Sequence, residues 1–306
     1  MFFSATFKQT ARAALRNHWQ TGLLIVLVVN LPTLLVQAIA SFTGNDLIEN
    51  AQVLILTAAR DGAVSAPALN AKLLELIRTP SVLLMTGLGV LAWLITPCFS
   101  LGMDRWVLLR LRGQAAGVST VFSMLRYSLR SIGLRLFIAL KIFLWMLPGI
   151  GVSLLSLLFL RGGQTTVDGA RSSILFSSGF MYAGTILMAV LGVMAYLRYA
   201  MADFLLADEP DSRVRDCVSR SLKIMKDKKG ALFSLELSFL LWYLLELFIA
   251  SFLAGMGSGV LSLMFQMLAG LAISLYMRAS VGAFYDAYTK VYRESRSEDG
   301  THAMPL

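Results

Sequence analysis

Six apolar stretches, each long enough to cross a bilayer, run through this chain, and its Lys and Arg residues collect in alternate gaps between them. The stretches fall near 21–42, 81–103, 132–160, 174–206, 231–254 and 260–285. A helix needs about 20 apolar residues to cross a hydrocarbon core of about 30 Å. Lipid offers the backbone no hydrogen-bond partners, so segments of this kind satisfy their own as helices. The pattern therefore predicts an all-α integral membrane bundle of six transmembrane helices, with amphipathic interfacial helices beside them. The third and fourth stretches exceed the bilayer and are expected to tilt, kink or project beyond it.

The charge pattern predicts an orientation. Of the 27 basic residues, 22 fall in the N-terminal tail or in the regions Asp104–Lys141, Arg198–Lys229 and Arg278–Arg296, which cover every second gap and the span ends beside it. The remaining five are Arg60, Lys72, Arg78, Arg161 and Arg171. By the positive-inside rule both termini are expected on the cytoplasmic side. The same rule accounts for the net charge of +9, so no nucleic-acid partner is inferred from it. A signal-peptide reading of Lys8, Arg12, Arg16 and the run ending at Ala38-Ile39-Ala40 fits less well. That run is long, and Asn30 and Pro32 interrupt it, unlike a short apolar h-region.

The chain divides into an amphipathic segment at 1–20, a six-span domain at 21–289 and a cytoplasmic tail at 290–306. Phe2, Phe3, Phe7, Ala11, Leu15 and Trp19 give the first segment an apolar face. It either lies in the interface or continues the helix of the first span, packed on its neighbours. The outside loop at 43–80 carries two short amphipathic stretches, 46–59 and 68–77, expected to form a small cap. Two cytoplasmic stripes form a rough pair before spans three and five. One is Val118, Val121, Phe122, Leu125, Leu129 and Ile132; the other is Val214, Cys217, Val218, Leu222 and Met225. The second stripe is flanked by Arg213, Arg215, Arg220, Lys223 and Lys226, candidate contacts for anionic lipid.

Ionisable residues within spans cost about 2.5–3.5 kcal/mol each at the bilayer centre, so each needs a reason. Arg135, Lys141 and Arg198 stand toward inner ends and are expected to snorkel. Glu236 and Glu246 lie deeper, in the fifth stretch. The short link around Gly257 makes spans five and six antiparallel neighbours. Equal sequence distance from Gly257 predicts a Glu236–Arg278 ion pair and a Glu246–Gln266 hydrogen bond. Glu246 is then either a polar contact holding helices together or a proton or cation site on a transport path. Pro148, Gly149 and Gly151 mark a candidate hinge in the third span, since proline removes a backbone donor and glycine loosens the same turn.

No catalytic motif stands out. There is no G-x-S-x-G and no phosphate-binding loop, and His18 and His302 both fall outside the spans. Two histidines and two cysteines offer no metal cage of ordinary spacing, and no cofactor or disulfide is expected. The expected role is non-enzymatic: a membrane scaffold or accessory protein acting through membrane lipids, anionic ones in particular, or a protein partner in the membrane. The alternative is a small secondary transporter or permease using the kinked third span and Glu246.

One set of short segments adds a resemblance. It runs through Ser219-Arg220-Ser221, Met225-Lys226, Leu232-Phe233 and Leu237-Ser238-Phe239. It continues with Trp242-Tyr243-Leu244-Leu245, Tyr276-Met277 and Ala283-Phe284-Tyr285. Over this carboxy-terminal third the chain resembles the bacterial integral-membrane family catalogued as domain of unknown function 975. Leu275 and Arg278 depart from the proline and the uncharged residue usual there. The resemblance implies a bacterial multi-pass membrane protein and supplies no activity or ligand.

Overall fold

The computed structural model describes the backbone over residues 2–43, 78–162 and 167–298, and side chains over 5–39, 78–156 and 176–292. The expected cap helices at 46–59 and 68–77 lie outside the described residues, as does the end of the tail. The described residues are mostly helical, joined by short turns, without strands. In chain order the helices are α1 (Phe2–Leu15), α2 (Trp19–Thr43), α3 (Pro80–Leu111), α4 (Ser119–Ser123), α5 (Ser128–Gly162) and α6 (Val167–Tyr199). They continue with α7 (Ala202–Asp208), α8 (Val214–Ile224), α9 (Lys229–Gly255) and α10 (Gly259–Glu298). A 3₁₀ turn, Met124–Tyr127, joins α4 to α5.

Six helical segments are long and apolar enough to cross a membrane: Trp19–Ile39, Pro80–Leu111, Ser119–Ser156, Phe176–Asp208, Lys229–Gly255 and Gly259–Tyr292. The side chains divide by depth as a membrane bundle requires. Trp106, Phe204, Phe284 and Tyr285 are fully buried at the end of the bundle that carries α1, α4, α7 and α8, called the basic end below. Toward the other end Leu241, Phe248, Val260 and Leu268 stand open on the outside, where lipid would cover them. Packing in that half relies on close backbone approach. A Cβ on Gly149 of α5 would stand 2.7 Å from the backbone nitrogen of Met188 in α6. One on Gly184 would stand 2.8 Å from the Gly149 carbonyl oxygen.

Polar side chains inside the spans turn to nearby carbonyls. Asn30 Nδ2 donates to Val26 at 2.8 Å, two residues before Pro32, and Thr96 Oγ1 donates to Ala92 at 2.7 Å, beside Pro97. Ser131 Oγ reaches across from α5 to the Pro97 carbonyl at 2.6 Å. The α9–α10 hairpin turns at Gly257, whose φ of +79° suits glycine. Ser262 Oγ then donates to the Ala250 carbonyl at 2.7 Å and sets the antiparallel register.

The N-terminal segment packs on the bundle as a helix of its own, separated from α2 by a turn, and does not continue it. Ala11 and Leu15 of α1 are buried, Phe7 meets Phe284 with ring centres 5.3 Å apart, and Tyr276 Oη donates to the Lys8 carbonyl. Burial pulls the Lys8 ammonium below its ordinary pKa. The two apolar stripes before spans three and five also differ. On α8, Cys217, Val218 and Ile224 are buried in the bundle, whereas Phe122 and Leu129 of the first stripe stand exposed, Leu129 by 84%.

Candidate functional site

Charge concentrates where α3, α7 and α10 meet at the basic end. The Asp104 carboxylate is wholly buried, and Arg278 reaches it from α10 with two bonds, at 2.5 and 2.6 Å. The same guanidinium lies 3.6 Å from Asp203 of α7 and 4.5 Å from the centre of the Phe204 ring. A second cluster sits about two turns nearer the end. Arg112 grips Asp208 with two bonds, at 2.6 and 3.0 Å, and holds Asp286 with its Nε at 3.0 Å. Tyr285 Oη donates to Asp208 at 3.3 Å, and Lys290 pairs with Asp286 at 2.8 Å. The hydrogen bonds to Asp208 are the largest cause holding Arg112 well above the usual guanidinium pKa. These carboxylates clamp three helices together through paired charge, as buried ions require.

The structure redirects the predicted pairs. Arg278 pairs with Asp104 and Asp203, and no direct ion pair joins it to Glu236. Glu236 instead accepts from Tyr196 Oη at 3.2 Å. Glu246 and Gln266 share no hydrogen bond. The Glu246 carboxylate lies against Gly270, where an added Cβ would be 3.1 Å from Oε1. One geometric reason covers both corrections. Helical side chains lean toward their own N-termini, so two residues level with each other on antiparallel helices lean apart. Arg278 and Asp104 lie on helices that run the same way and lean together. The register itself is near the expected one, as the Ser262–Ala250 bond shows.

At the candidate hinge α5 stays helical through Pro148. Gly149 is taken up in the contact with Met188, while a Cβ on Gly151 would meet open space. Among the candidate lipid contacts, Arg213, Arg215, Lys223 and Lys226 are exposed. Arg220 is engaged with Glu209 at 2.6 Å. α8 buries its apolar stripe in the bundle, so that face is not free to insert into lipid. Burial pushes the Cys217 thiol up, and both Cys98 and Cys217 are free and buried. Among the described residues no group of His, Cys, Asp and Glu is arranged to hold a metal ion.

Sequence reasoning missed Asp104, Asp203 and Asp208 as partners. Asp104 follows an apolar stretch by one residue and reads there as a boundary charge. Arg135, expected to snorkel, lines a cavity of ~410 Å³ between α2, α3, α5, α6, α7 and α10, together with Asn30, Tyr196, Asp203, Ser274 and Arg278. A second cavity of ~700 Å³ shares Asn30 and Ser274 with it and continues to Gln37, Gln266 and Gly270.

The architecture is that of a multi-pass helical membrane protein. The sequence profile of the family described as "Protein of unknown function (DUF975)" matches residues 1–291, and the chain belongs to that family. The match extends far beyond the carboxy-terminal third that carries the resemblance noted in the sequence. No curated protein and no solved structure matches this chain significantly.

Proposed function

We propose that this is a non-enzymatic accessory protein of a bacterial cytoplasmic membrane, with both termini on the cytoplasmic side, working through anionic lipid headgroups at its basic end. The observation that carries this reading is the exposure of Arg213, Arg215, Lys223 and Lys226, on α8 and just beyond its two ends, while the apolar face of α8 is buried. Each basic residue near an anionic leaflet contributes about 1 kcal/mol of attraction. The test is gentle extraction of the tagged protein and mass spectrometry of what remains bound. Retained anionic phospholipid, reduced at least tenfold when all four residues are changed to Gln, is the expected result. Equal retention by the variant overturns the reading, and a stoichiometric protein partner in place of lipid replaces it. Trypsin should cleave α8 in inverted vesicles and spare it in right-side-out ones; the reverse refutes the orientation.

A transporter is the second reading, supported by the two adjoining cavities along α2, which share the polar residues Asn30 and Ser274. Glu246 borders the larger one through Gly270. On this reading Glu246→Gln in proteoliposomes abolishes proton-coupled uptake of whatever small solute co-purifies. Uptake equal to the parent's leaves Glu246 a purely structural contact.

A further inference from the structure

The basic end holds another pocket, of ~380 Å³, between the close of α1, the start of α2 and the end of α3. Thr10, Asn17, His18, Arg110 and Gln114 line it, and no acidic side chain does. Arg110 is the one Arg or Lys among the residues lining it. Arg105, Arg112, Arg130, Arg220 and Arg278 each reach a carboxylate oxygen within 3.5 Å. Arg110, though partly buried, reaches none among the described residues. Its Nη1 lies 3.2 Å from His18 Nε2, its Nη2 donates to the Ala116 carbonyl, and its buried Nε has no acceptor. A guanidinium with a buried, unpaired N–H and only neutral partners has donors left for an anion, and hydrogen bonds between charged groups are the strong ones. The Arg110 contact makes His18 Nε2 an acceptor, which leaves Nδ1–H as a donor. The amides of Asn17 and Gln114 add further donors. The N-terminus of α2 favours an anion here and the C-terminus of α3 opposes one, so the side chains decide.

We propose that this pocket binds a phosphate group, with Arg110 as its charge partner and His18, Asn17 and Gln114 as neutral donors. Trp19 opens α2 beside it, and tryptophan at the end of a span marks headgroup depth. The phosphate therefore belongs either to a phospholipid of the adjoining leaflet or to a soluble phosphate species. The site shares no residue with α8, so it stands or falls separately from the lipid-contact surface above.

The full chain in nanodiscs of phosphatidylcholine is the material for the test. One arm titrates phosphatidylglycerol and reads bound lipid by native mass spectrometry; the other titrates inorganic phosphate by calorimetry. Saturable binding of one equivalent in either arm is expected, and the arm in which it occurs identifies the source. Arg110→Gln should weaken it at least tenfold. Asn17→Asp, at an exposed position that does not threaten folding, should do the same by placing a carboxylate beside the guanidinium. The variant lacking the four α8 cations should retain the one-equivalent site. Binding unchanged in Asn17→Asp, or no saturable binding in either arm, overturns the proposal.

Discussion

Replacing Arg278 with Met should destabilise the folded bundle by about 3–5 kcal/mol, the usual cost of leaving a buried charge without its partner. Asp104 is 0% exposed and depends on Arg278 for both of its charge-assisted bonds. Asp203 loses its nearest cation in the same change. Changing Asp104 to Asn in the same chain removes the stranded charge and should restore a large part of the loss. Removing both members of a buried pair is often close to neutral. Denaturant unfolding in mixed micelles, followed by tryptophan fluorescence, measures all three proteins. An Arg278→Met protein as stable as the parent would mean that the carboxylate is compensated elsewhere. Glu236→Gln should be mild by comparison, because Glu236 holds only the Tyr196 hydroxyl.

The second large effect is steric. Gly184→Leu should disrupt the α5–α6 hairpin, because its Cβ alone would stand 2.5 Å from the Ser153 backbone nitrogen and 2.8 Å from the Gly149 carbonyl oxygen. Backbone on a neighbouring helix cannot swing aside as a side chain can. Overpacking of this kind costs about 1–3 kcal/mol where the surroundings adjust, and more where they do not. Gly151→Leu is the internal comparison: it lies on the same helix as Gly149 and meets open space, so its stability should stay near the parent value. The pair of variants also bears on the hinge at Pro148. Pressed against Met188, Gly149 cannot bend freely unless α5 and α6 separate. Equal stability of the two leucine variants would show that the two helices are loosely packed in the membrane.

The six spans were legible because hydropathy is summed residue by residue along the chain and needs no knowledge of neighbours. The antiparallel turn at Gly257 was legible for a similar reason, since a five-residue link leaves its two helices nowhere else to go. Asp104 was not legible. A lone acidic residue at the end of an apolar stretch looks like many that face water, and only α7 and α10 closing over it make it buried. The direction of α8's apolar face was equally hidden. Val214, Cys217, Val218 and Leu222 would suit a bilayer surface as well as a protein one, and the bundle beneath them decides.

What the sequence by itself determined is therefore the class of fold, the number of crossings and the end of the bundle at which positive charge gathers. These follow from local composition and spacing. Which carboxylate each arginine holds, which glycines are contacts, and where polar cavities open were decided by the tertiary structure alone. Such choices depend on the angle at which each side chain leaves its helix and on which helix, distant in the chain, comes to face it. Two residues level across the bundle, as Glu236 and Arg278 nearly are, still lean apart when their helices run in opposite directions.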